Sequence, residues 1–421
     1  MAGDFRRRHL AFNARQRLEA APAAKRITWI RAAAKSPERL RRLGAAKALT
    51  EIDRVEHEDL LRLLSRDADD EVGEAALKTL NERVRARSDR HAQARQLRQS
   101  VAGAFSTGQV AVKDHLVAVG ISHVEMFDAR QGRRLWSSEA HGFRRPDYLV
   151  FAGDRLIVAS YDGDLAALDV RSGAAIWSKP GAEWDDRNST LGISRVLTVG
   201  DTLVVARRGA IEWIDPARGT VINTLATRGL HDMAAAGSTL YTISISALST
   251  IVDGRVVAQR KQAPGGIAVS VGAAGVCVTR TAVYDLKTEP EVVCHDPETL
   301  EPRWSQRIGS NGTGGHDTAP VQSDSAIYVP SDRRLSAFRA RDGARLWSVT
   351  AGQEIVGRVA LTPRGLLSRS PDYRLELLNA TSGELIAVWP ALKGFDRVAV
   401  SGTRVAATGR DGAMWDFTSG R

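Results

Sequence analysis

Cysteine is scarce in this sequence, and long apolar runs are missing from it. Only Cys277 and Cys294 occur among 421 residues, which excludes a disulfide scaffold and suits a reducing compartment. No window approaches roughly eighteen consecutive apolar residues, so the sequence predicts no membrane-spanning helix. The first residues, MAGDFRRRHLAFNARQ, are interrupted by charges and lack the apolar core of a secretory signal. We therefore expect a cytoplasmic protein.

The two cysteines are expected to lie on adjacent strands without forming a bond. Counting outward from the predicted hairpin places Cys277 opposite His295 and Cys294 opposite Val278. Side chains alternate between the two faces of a strand, so this register directs the two sulfurs to opposite faces of the sheet. We expect both thiols to be buried as small hydrophobic side chains.

Sequence signatures of catalysis and of metal binding are also missing. Two separated cysteines and nine scattered histidines show no zinc-ligand spacing. The chain has no Gly-x-Ser-x-Gly elbow, no phosphate-binding loop and no protein-kinase signature. We therefore predict that the protein is not an enzyme and that it binds no cofactor and no metal.

Positive charge is concentrated in the first hundred residues. The formal net charge is +10, and residues 1–100 contain 23 Lys or Arg against 15 Asp or Glu, while the rest contains 36 against 34. Nucleic acid or an acidic protein is attracted to such a surface, and a solvated helical face is the alternative. Aromatic residues for base stacking are few in this region. The candidate basic surface consists of Arg6, Arg7, Arg8, Arg83, Arg85, Arg87, Arg90, Arg95 and Arg98.

Residues 1–96 are predicted to form a basic, all-α domain. Apolar residues recur three and four positions apart in 37–52, 57–67 and 69–87, as they do on one face of a helix. Asp69 and Asp70 suit the beginning of a helix. The stretch LLRLLSRDADDEVGEAALKTL resembles a HEAT-type helical repeat, which implies short antiparallel helices that complete their core against a neighbour.

Beyond residue 96, a turn motif recurs in which Asp, Gly and Trp are four residues apart. Asp accepts bonds from the amides of the turn, Gly supplies a positive φ, and Trp is expected to pack on the adjoining repeat. Leu300 replaces Gly in one copy, and Asp253 with Gly254 forms a hairpin turn in another. The motif residues are Asp128, Gly132, Trp136, Asp169, Gly173, Trp177, Asp215, Gly219, Asp296, Trp304, Gly343, Trp347, Gly383, Asp416 and Gly420.

The spacing of this motif predicts the architecture of residues 97–421. Its copies give eight units with a period of about 41 residues, as expected of propeller blades with four strands each. The segment YDGDLAALDVRSGAAIW, residues 161–177, resembles the pyrroloquinoline-quinone-type repeat of quinoprotein dehydrogenases and of a propeller lipoprotein in outer-membrane protein assembly. This resemblance implies a propeller fold, but enzymes and scaffolds share it, so it does not imply one function. No residue of a quinone site can be placed on this sequence.

We therefore predict an all-β, eight-bladed propeller of four-stranded antiparallel blades, preceded by the smaller all-α domain. The sequence stops at Arg421, one residue after Gly420, which leaves the last blade without its outer strand. Residues 97–104 are expected to supply that strand and to close the ring, so that no sheet edge stays open.

Loops that lead from one blade into the next are expected to gather at one mouth of the central channel. The segment NGTGGHDTAP, residues 311–320, is the most specific, because its glycines let the backbone approach a ligand. A loop held by its own hydrogen bond is the alternative. The candidate mouth residues are His141, Arg144, Arg145, Trp184, Asp185, Asp186, Arg187, His231, Asp232, His316 and Asp317.

The sequence favours a non-catalytic scaffold that binds protein partners at the propeller mouth and along the helical flank. Two other functions are considered. One is a nucleic-acid-associated adaptor that uses the basic helices, and the other is a ligand-sensing propeller with His316 and Asp317 at its mouth.

Overall fold

The computed structural model contains a group of helices followed by strands that continue to the end of the described chain. The helices are α1 (Ala23–Ala34), α2 (Arg39–Thr50), α3 (Glu58–Leu64) and α4 (Asp70–Arg87). None of the helices in the described ranges is both long enough and apolar enough to cross a membrane. The structure describes residues 22–50, 57–87, 95–98, 109–120, 123–138, 146–181, 192–244, 247–261, 266–280, 290–308, 319–331, 334–350, 359–369, 374–389, 395–409 and 414–418.

The four helices pack around an aliphatic core, because each presents one apolar stripe to its neighbours. Leu49 and Leu61 are fully buried in this core. Asp69 precedes α4, and its Oδ1 accepts the backbone N–H of Val72 at 3.2 Å, which is the N-cap bond that the sequence predicts. The three predicted helical segments correspond to α2, α3 and α4 and are confirmed.

Seven blades are each built from four antiparallel strands that follow one another in the chain. A first strand, β1 (Arg95–Arg98), precedes them. Blades 1 to 4 consist of β2 (Gln109–Lys113), β3 (Leu116–Gly120), β4 (Val124–Asp128) and β5 (Arg133–Ser138); β6 (Tyr148–Ala152), β7 (Arg155–Ala159), β8 (Leu165–Asp169) and β9 (Ala175–Lys179); β10 (Ile193–Val199), β11 (Thr202–Arg207), β12 (Ala210–Ile214) and β13 (Val221–Ala226); and β14 (Leu230–Ala236), β15 (Thr239–Ser244), β16 (Ala247–Val252) and β17 (Arg255–Lys261). Blades 5 to 7 consist of β18 (Gly266–Gly272), β19 (Gly275–Arg280), β20 (Glu291–His295) and β21 (Pro302–Arg307); β22 (Val321–Gln322), β23 (Ala326–Ser331), β24 (Arg334–Arg339) and β25 (Arg345–Thr350); and β26 (Ala360–Thr362), β27 (Gly365–Arg369), β28 (Leu375–Leu378) and β29 (Leu385–Trp389).

The last four-stranded sheet is composite, because it joins strands from the two ends of the strand region. Its members are β30 (Phe395–Ser401), β31 (Arg404–Gly409), β32 (Met414–Thr418) and β1. The strand β1 pairs antiparallel with β32, with Gln96 opposite Trp415. Of the predicted closing segment, residues 97–104, only residues 97 and 98 lie in β1. Residues 99–104 lie outside the described ranges.

The predicted count of eight blades is corrected by this arrangement. The eighth unit rested on a motif turn from Asp416 to Gly420, but Asp416 lies in the middle of β32. Thr418 pairs with Arg404, the first residue of β31, just as Asp169 of blade 2 pairs with Arg155, the first residue of β7. Thr418, and not Asp416, therefore has the position of the motif Asp. The described chain therefore forms seven blades of four consecutive strands, and the composite sheet does not carry the predicted turn.

The motif turns show why Asp and Gly recur in the blades. Asp169 Oδ1 accepts the N–H groups of Arg171 at 3.0 Å and of Ser172 at 2.8 Å, and the N–H of Gly173 donates to the Asp169 carbonyl at 2.8 Å. Gly173 has a φ of +74°, which favours glycine. The Ser172 hydroxyl and these amides lower the pKa of the Asp169 carboxyl. Equivalent carboxylate bonds form at Asp128, Asp215 and Asp296.

The motif tryptophans join each blade to the next. Trp136 Nε1 donates to the Val170 carbonyl of blade 2 at 2.8 Å, and a Cβ on Gly173 would lie 2.6 Å from the Trp136 ring. The predicted packing of the indole on the adjoining blade is confirmed. We call this contact between the outer strand of one blade and the motif turn of the next a blade junction. The same contact is made by Trp177, Trp304 and Trp347.

Cys277 and Cys294 are bonded to each other, so the prediction of separate thiols is wrong. They lie directly opposite each other in β19 and β20, with their Cα atoms 4.0 Å apart. The predicted register differs by one residue, and such a slip moves a side chain to the other face of the sheet. The two strands are connected by ten residues, 281–290, so no tight turn fixes the register from the sequence.

Candidate functional site at the channel mouth

The innermost strands of the propeller surround a central cavity of about 940 Å³. Its wall includes residues of β2, β6, β10, β14, β18, β22 and β30, together with Val359 next to β26. Every four-stranded sheet thus contributes its innermost strand, or a neighbour of that strand, to the wall. The cavity is therefore the central channel of the propeller.

Irregular pairing in two innermost strands brings polar side chains to the cavity. The register of β10 against β11 shifts after Ile193, and the register of β14 against β15 shifts after Leu230. The extra residues are Ser194 and His231, and both line the cavity. Such β-bulges redirect side chains and are frequent beside functional sites.

Asp232 connects three blades at this mouth. Its Oδ1 accepts a bond from Arg195 Nε at 2.5 Å, and its Oδ2 accepts the backbone N–H of Val269 at 3.0 Å. These residues lie in β10, β14 and β18, so one carboxylate links blades 3, 4 and 5. The side chain of Asp232 is 1% exposed and that of Arg195 is 18% exposed. Asp232 therefore holds Arg195 in place and offers little surface to a partner.

Two further bonds link neighbouring innermost strands. His231 Nδ1 donates to the Gly266 carbonyl of blade 5 at 2.5 Å, and the Tyr148 hydroxyl of blade 2 donates to the Ser194 carbonyl of blade 3 at 2.7 Å. The polar groups of the mouth thus fix the spacing of adjacent blades. A surface held in this way loses little conformational entropy when it binds.

Among the described residues of the mouth, the turn between β7 and β8 provides the most exposed aromatic side chain. Tyr161 is 59% exposed, and its backbone N–H donates to Asp147 Oδ2 at 2.6 Å. Asp162 beside it, and Arg397 of β30, also line the cavity. Tyrosine and arginine are common anchors in protein interfaces.

The structure places two of the predicted mouth residues, His231 and Asp232, in the cavity wall. Asp147, two residues after Arg145, and Ala319, two residues after Asp317, also line it. The remaining candidates lie outside the described residues: His141, Arg144, Arg145, Trp184, Asp185, Asp186, Arg187, His316 and Asp317.

Sequence reasoning missed several further polar residues of the mouth, among them Tyr148, Tyr161, Arg195 and Arg397. The sequence contains a pattern that could have identified two of them, Arg195 and Arg397. When the innermost strands ISRVLTV, LHDMAAA and FDRVAVS are aligned, their third residues are Arg195, Asp232 and Arg397. Each of the three directly follows the register shift of its strand.

Two arginines of the predicted basic surface bind groups within the chain. Arg83 is 6% exposed and donates to the Leu49 carbonyl. Arg85 binds both carboxylate oxygens of Glu376 in blade 7, at 2.6 and 2.9 Å. Arg87 ends α4, while Arg95 and Arg98 lie in β1. The other predicted members, Arg6, Arg7, Arg8 and Arg90, lie outside the described residues.

No group of three or more His, Cys, Asp or Glu side chains in the described ranges is arranged to hold a metal ion.

His295, the residue after Cys294, has a structural role. His295 is 2% exposed, and its Nδ1 donates to the Leu300 carbonyl at 3.0 Å. Burial lowers the pKa of this imidazole, which favours the neutral ring.

Comparison with known proteins supports the propeller fold. BamB from Moraxella catarrhalis is 18% identical, with a TM-score of 0.58 over 77% of this chain and 100% of that structure. The computationally designed protein Ika8 is 13% identical, with a TM-score of 0.59 over 76% of this chain and 98% of that structure. No curated protein matches. At these identities the solved structures show the fold alone.

The family comparison covers most of the strand region and confirms the repeat that the sequence resembles. Residues 92–263 and 244–391 match the model of a family described as "Outer membrane protein assembly factor BamB". These two matches together extend over more than half of the chain. The chain therefore belongs to the BamB family of propeller proteins.

Proposed function

We propose that this chain is a non-catalytic scaffold that binds protein partners at the channel mouth and along its helical flank. The family description names an assembly factor, which supports a role in assembling a protein complex. The observation that carries the proposal is the mouth itself. Tyr161, Arg195 and Arg397 border one cavity, and bonds between blades fix the strands that surround it. Aromatic and arginine side chains on a rigid support are well suited to protein recognition.

The two other functions have less support. A nucleic-acid-associated adaptor would need a basic helical face, but Arg83 and Arg85 already bind groups within the chain. A ligand-sensing propeller depended on His316 and Asp317, which lie outside the described residues. Binding of a DNA or RNA duplex that weakens steeply with salt would favour the first of these. Thermal stabilisation by a small ligand, lost in His316→Ala, would favour the second.

Isolation of the native complex from its own cells, followed by mass spectrometry, tests the scaffold role. A second preparation carries Tyr161→Ser with Asp162→Arg, which alters the exposed part of the mouth. The matched control is Asp201→Arg in the exposed turn between β10 and β11, at the other end of the innermost strand. We expect the mouth variant to lose a stoichiometric partner and the control to retain it. A chain that is monomeric and partner-free in its own extract would contradict the proposal.

The cytoplasmic location is a separate prediction that rested partly on the scarcity of cysteine. A bond between Cys277 and Cys294 is typical of oxidising compartments, so it removes that part of the argument. Alkylation of thiols in intact cells, followed by mass spectrometry of the chain, tests the location. Two alkylated cysteines are expected in a reducing compartment, and a bonded pair is expected in an oxidising one.

A further inference from the structure

The helix α4 covers the junction between blades 6 and 7. A Cβ on Gly383 would lie 2.8 Å from the Trp347 ring and 2.9 Å from Leu77 Cδ2 of α4, so Leu77 sits directly on this junction. Leu385, two residues after Gly383, is 6% exposed and belongs to the same core as Leu77. The described residues thus provide an example of a helix bound to a blade junction.

An amide side chain completes this contact. Asn81 Nδ2 donates to the Gly383 carbonyl at 3.0 Å, and the N–H of Leu385 donates to Asn81 Oδ1 at 2.8 Å. In blade 5 the position of Leu385 is occupied by Pro302, which has no N–H. Blade 5 therefore forms without this donor, and in blade 7 the donor binds Asn81 of α4.

Ion pairs flank the covered junction. Near its N-terminus, α4 presents carboxylates to arginines of blade 6: Glu74 lies 3.0 Å from Arg334, and Asp70 pairs with Arg345. The bound helix thus combines an apolar contact at Leu77 with carboxylates that meet basic residues of the propeller.

The corresponding positions on blades 3 and 4 are exposed. Val221 and Val256, which occupy the position of Leu385, are 44% and 45% exposed. Ile222 and Val257, the next residues, are 63% and 61% exposed. A Cβ on Gly254 of blade 4 would collide with the Asn223 side chain of blade 3, so the two exposed pairs lie on either side of one junction. With Ile176 of blade 2, which is 44% exposed, they form what we call the outer patch.

Basic side chains border the strands of the outer patch, although Asp253 in the turn before β17 is exposed and Arg260 of β17 pairs with Glu301. The strand β13 has the sequence VINTLA and β17 has RVVAQRK, so neither contains an acidic residue. Arg255 and Lys261 are exposed in β17, and Arg218 is exposed in the turn before β13. A contiguous apolar patch with a charged border is typical of a protein-binding surface.

We propose that the outer patch binds an amphipathic helix of a partner protein, with an aliphatic stripe on the junctions and carboxylates facing the basic border. The proposal goes beyond the scaffold role at the mouth, because it concerns a separate surface and states the chemistry of the partner. It follows the example of α4, in which Leu77 provides the apolar contact and Asp70 and Glu74 provide the charges.

A peptide of residues 69–87 serves as the probe. Lys78 and Glu82 are exposed and one helical turn apart, so a lactam between them holds the peptide helical without altering its apolar stripe. Titration of the labelled peptide against the full chain, followed by fluorescence anisotropy, measures binding. Amide exchange then locates it, and we expect protection of residues 221–224 and 255–258 in blades 3 and 4.

The full chain with Ile222→Asp and Val257→Asp should bind the peptide at least about ten-fold more weakly. The matched control is Ile386→Asp, at the same position of blade 7, where the side chain is 45% exposed; it should change the affinity less than about two-fold. The mouth variant Tyr161→Ser with Asp162→Arg should bind the peptide normally, so the two proposals can fail separately.

Three results would overturn the proposal. The first is no saturable binding up to about 1 mM peptide. The second is binding that the double substitution at Ile222 and Val257 leaves unchanged. The third is self-association of the chain, seen by analytical ultracentrifugation and abolished by the same double substitution, which would identify the patch as an interface between two copies.

Discussion

Blade junctions with the same backbone differ in what covers them. Gly383 and Gly219 have φ values of +73° and +70°, and each packs under the tryptophan of the preceding blade. Two residues later, however, Leu385 is 6% exposed beneath α4, whereas Val221 is 44% exposed. The motif therefore builds the junction, and the side chains of α4 decide which junction is covered.

The largest effect is expected from the ion pair that holds α4 on blade 7. Arg85→Ala leaves Glu376, which is 3% exposed, buried without its partner, and such a loss costs about 3–5 kcal/mol. Urea unfolding of the full chain, followed by circular dichroism, measures it. The control Lys78→Ala, on the exposed side of the same helix, should stay within about 0.5 kcal/mol of the parent. Equal stabilities of the two variants would show that the pair does not fasten the helix.

Leu77→Ala and Ile222→Ala compare a covered junction with a bare one. Leu77 is fully buried, so its truncation should cost about 3 kcal/mol. Ile222 is 63% exposed, so its truncation should cost less than about 0.5 kcal/mol in the absence of a partner. Chemical denaturation of both variants provides the two values. A large loss in Ile222→Ala would mean that the outer patch is already covered in the isolated chain.

Gly219→Ala tests the contact between blades 2 and 3. A Cβ there would lie 2.7 Å from the Trp177 ring, whereas a Cβ on Gly200 would meet nothing within 4 Å. Both glycines have positive φ values, so both substitutions carry the same backbone cost of about 1 kcal/mol. The clash should make Gly219→Ala about 1–2 kcal/mol more destabilising than Gly200→Ala. Equal midpoints in thermal unfolding would contradict this contact.

The smallest expected effect is on the stability of the fold at low pH. The pKa of Asp169 is lowered by the Ser172 hydroxyl and the turn amides, so its contribution to stability is present above the unfolded value of about 4 and is lost as the pH falls through the folded pKa. Asn379 makes the same turn bonds in blade 7 without a charge. Asp169→Asn should therefore lose less stability between about pH 5 and pH 2 than the parent. Thermal melts of the parent, of Asp169→Asn and of the control Asp201→Asn across this pH range check the prediction. The same loss of stability in Asp169→Asn and in the parent would refute it.

Local patterns predicted the helices and the blade turns well. Asp169, Gly173 and Trp177 lie within nine residues, so their roles can be read from one short segment. The register of Cys277 and Cys294 could not be predicted, because ten residues separate their strands and no tight turn fixes the pairing. The erroneous blade count has a related cause. A motif-like spacing at Asp416 is indistinguishable from a true turn until the pairing of β32 is known.

The candidate site was harder to predict than the fold. The bonds of Asp232 join Arg195 and Val269, each 37 residues away, and only the closed arrangement of blades brings them together. The bulge that directs His231 into the cavity adds one residue to one strand, which strand periodicity alone does not reveal. The outer patch was also overlooked, since exposed aliphatic residues in a strand resemble core residues until the covering element is known.

Amide hydrogen exchange at equivalent positions of the blades tests the central claim most directly. If α4 binds a junction through Asn81, the amide of Leu385 should exchange about 100-fold more slowly than those of Val221 and Val256. Asn81→Ala should remove most of that protection. Equal exchange at the three positions, or protection of Leu385 that survives Asn81→Ala, would contradict the account.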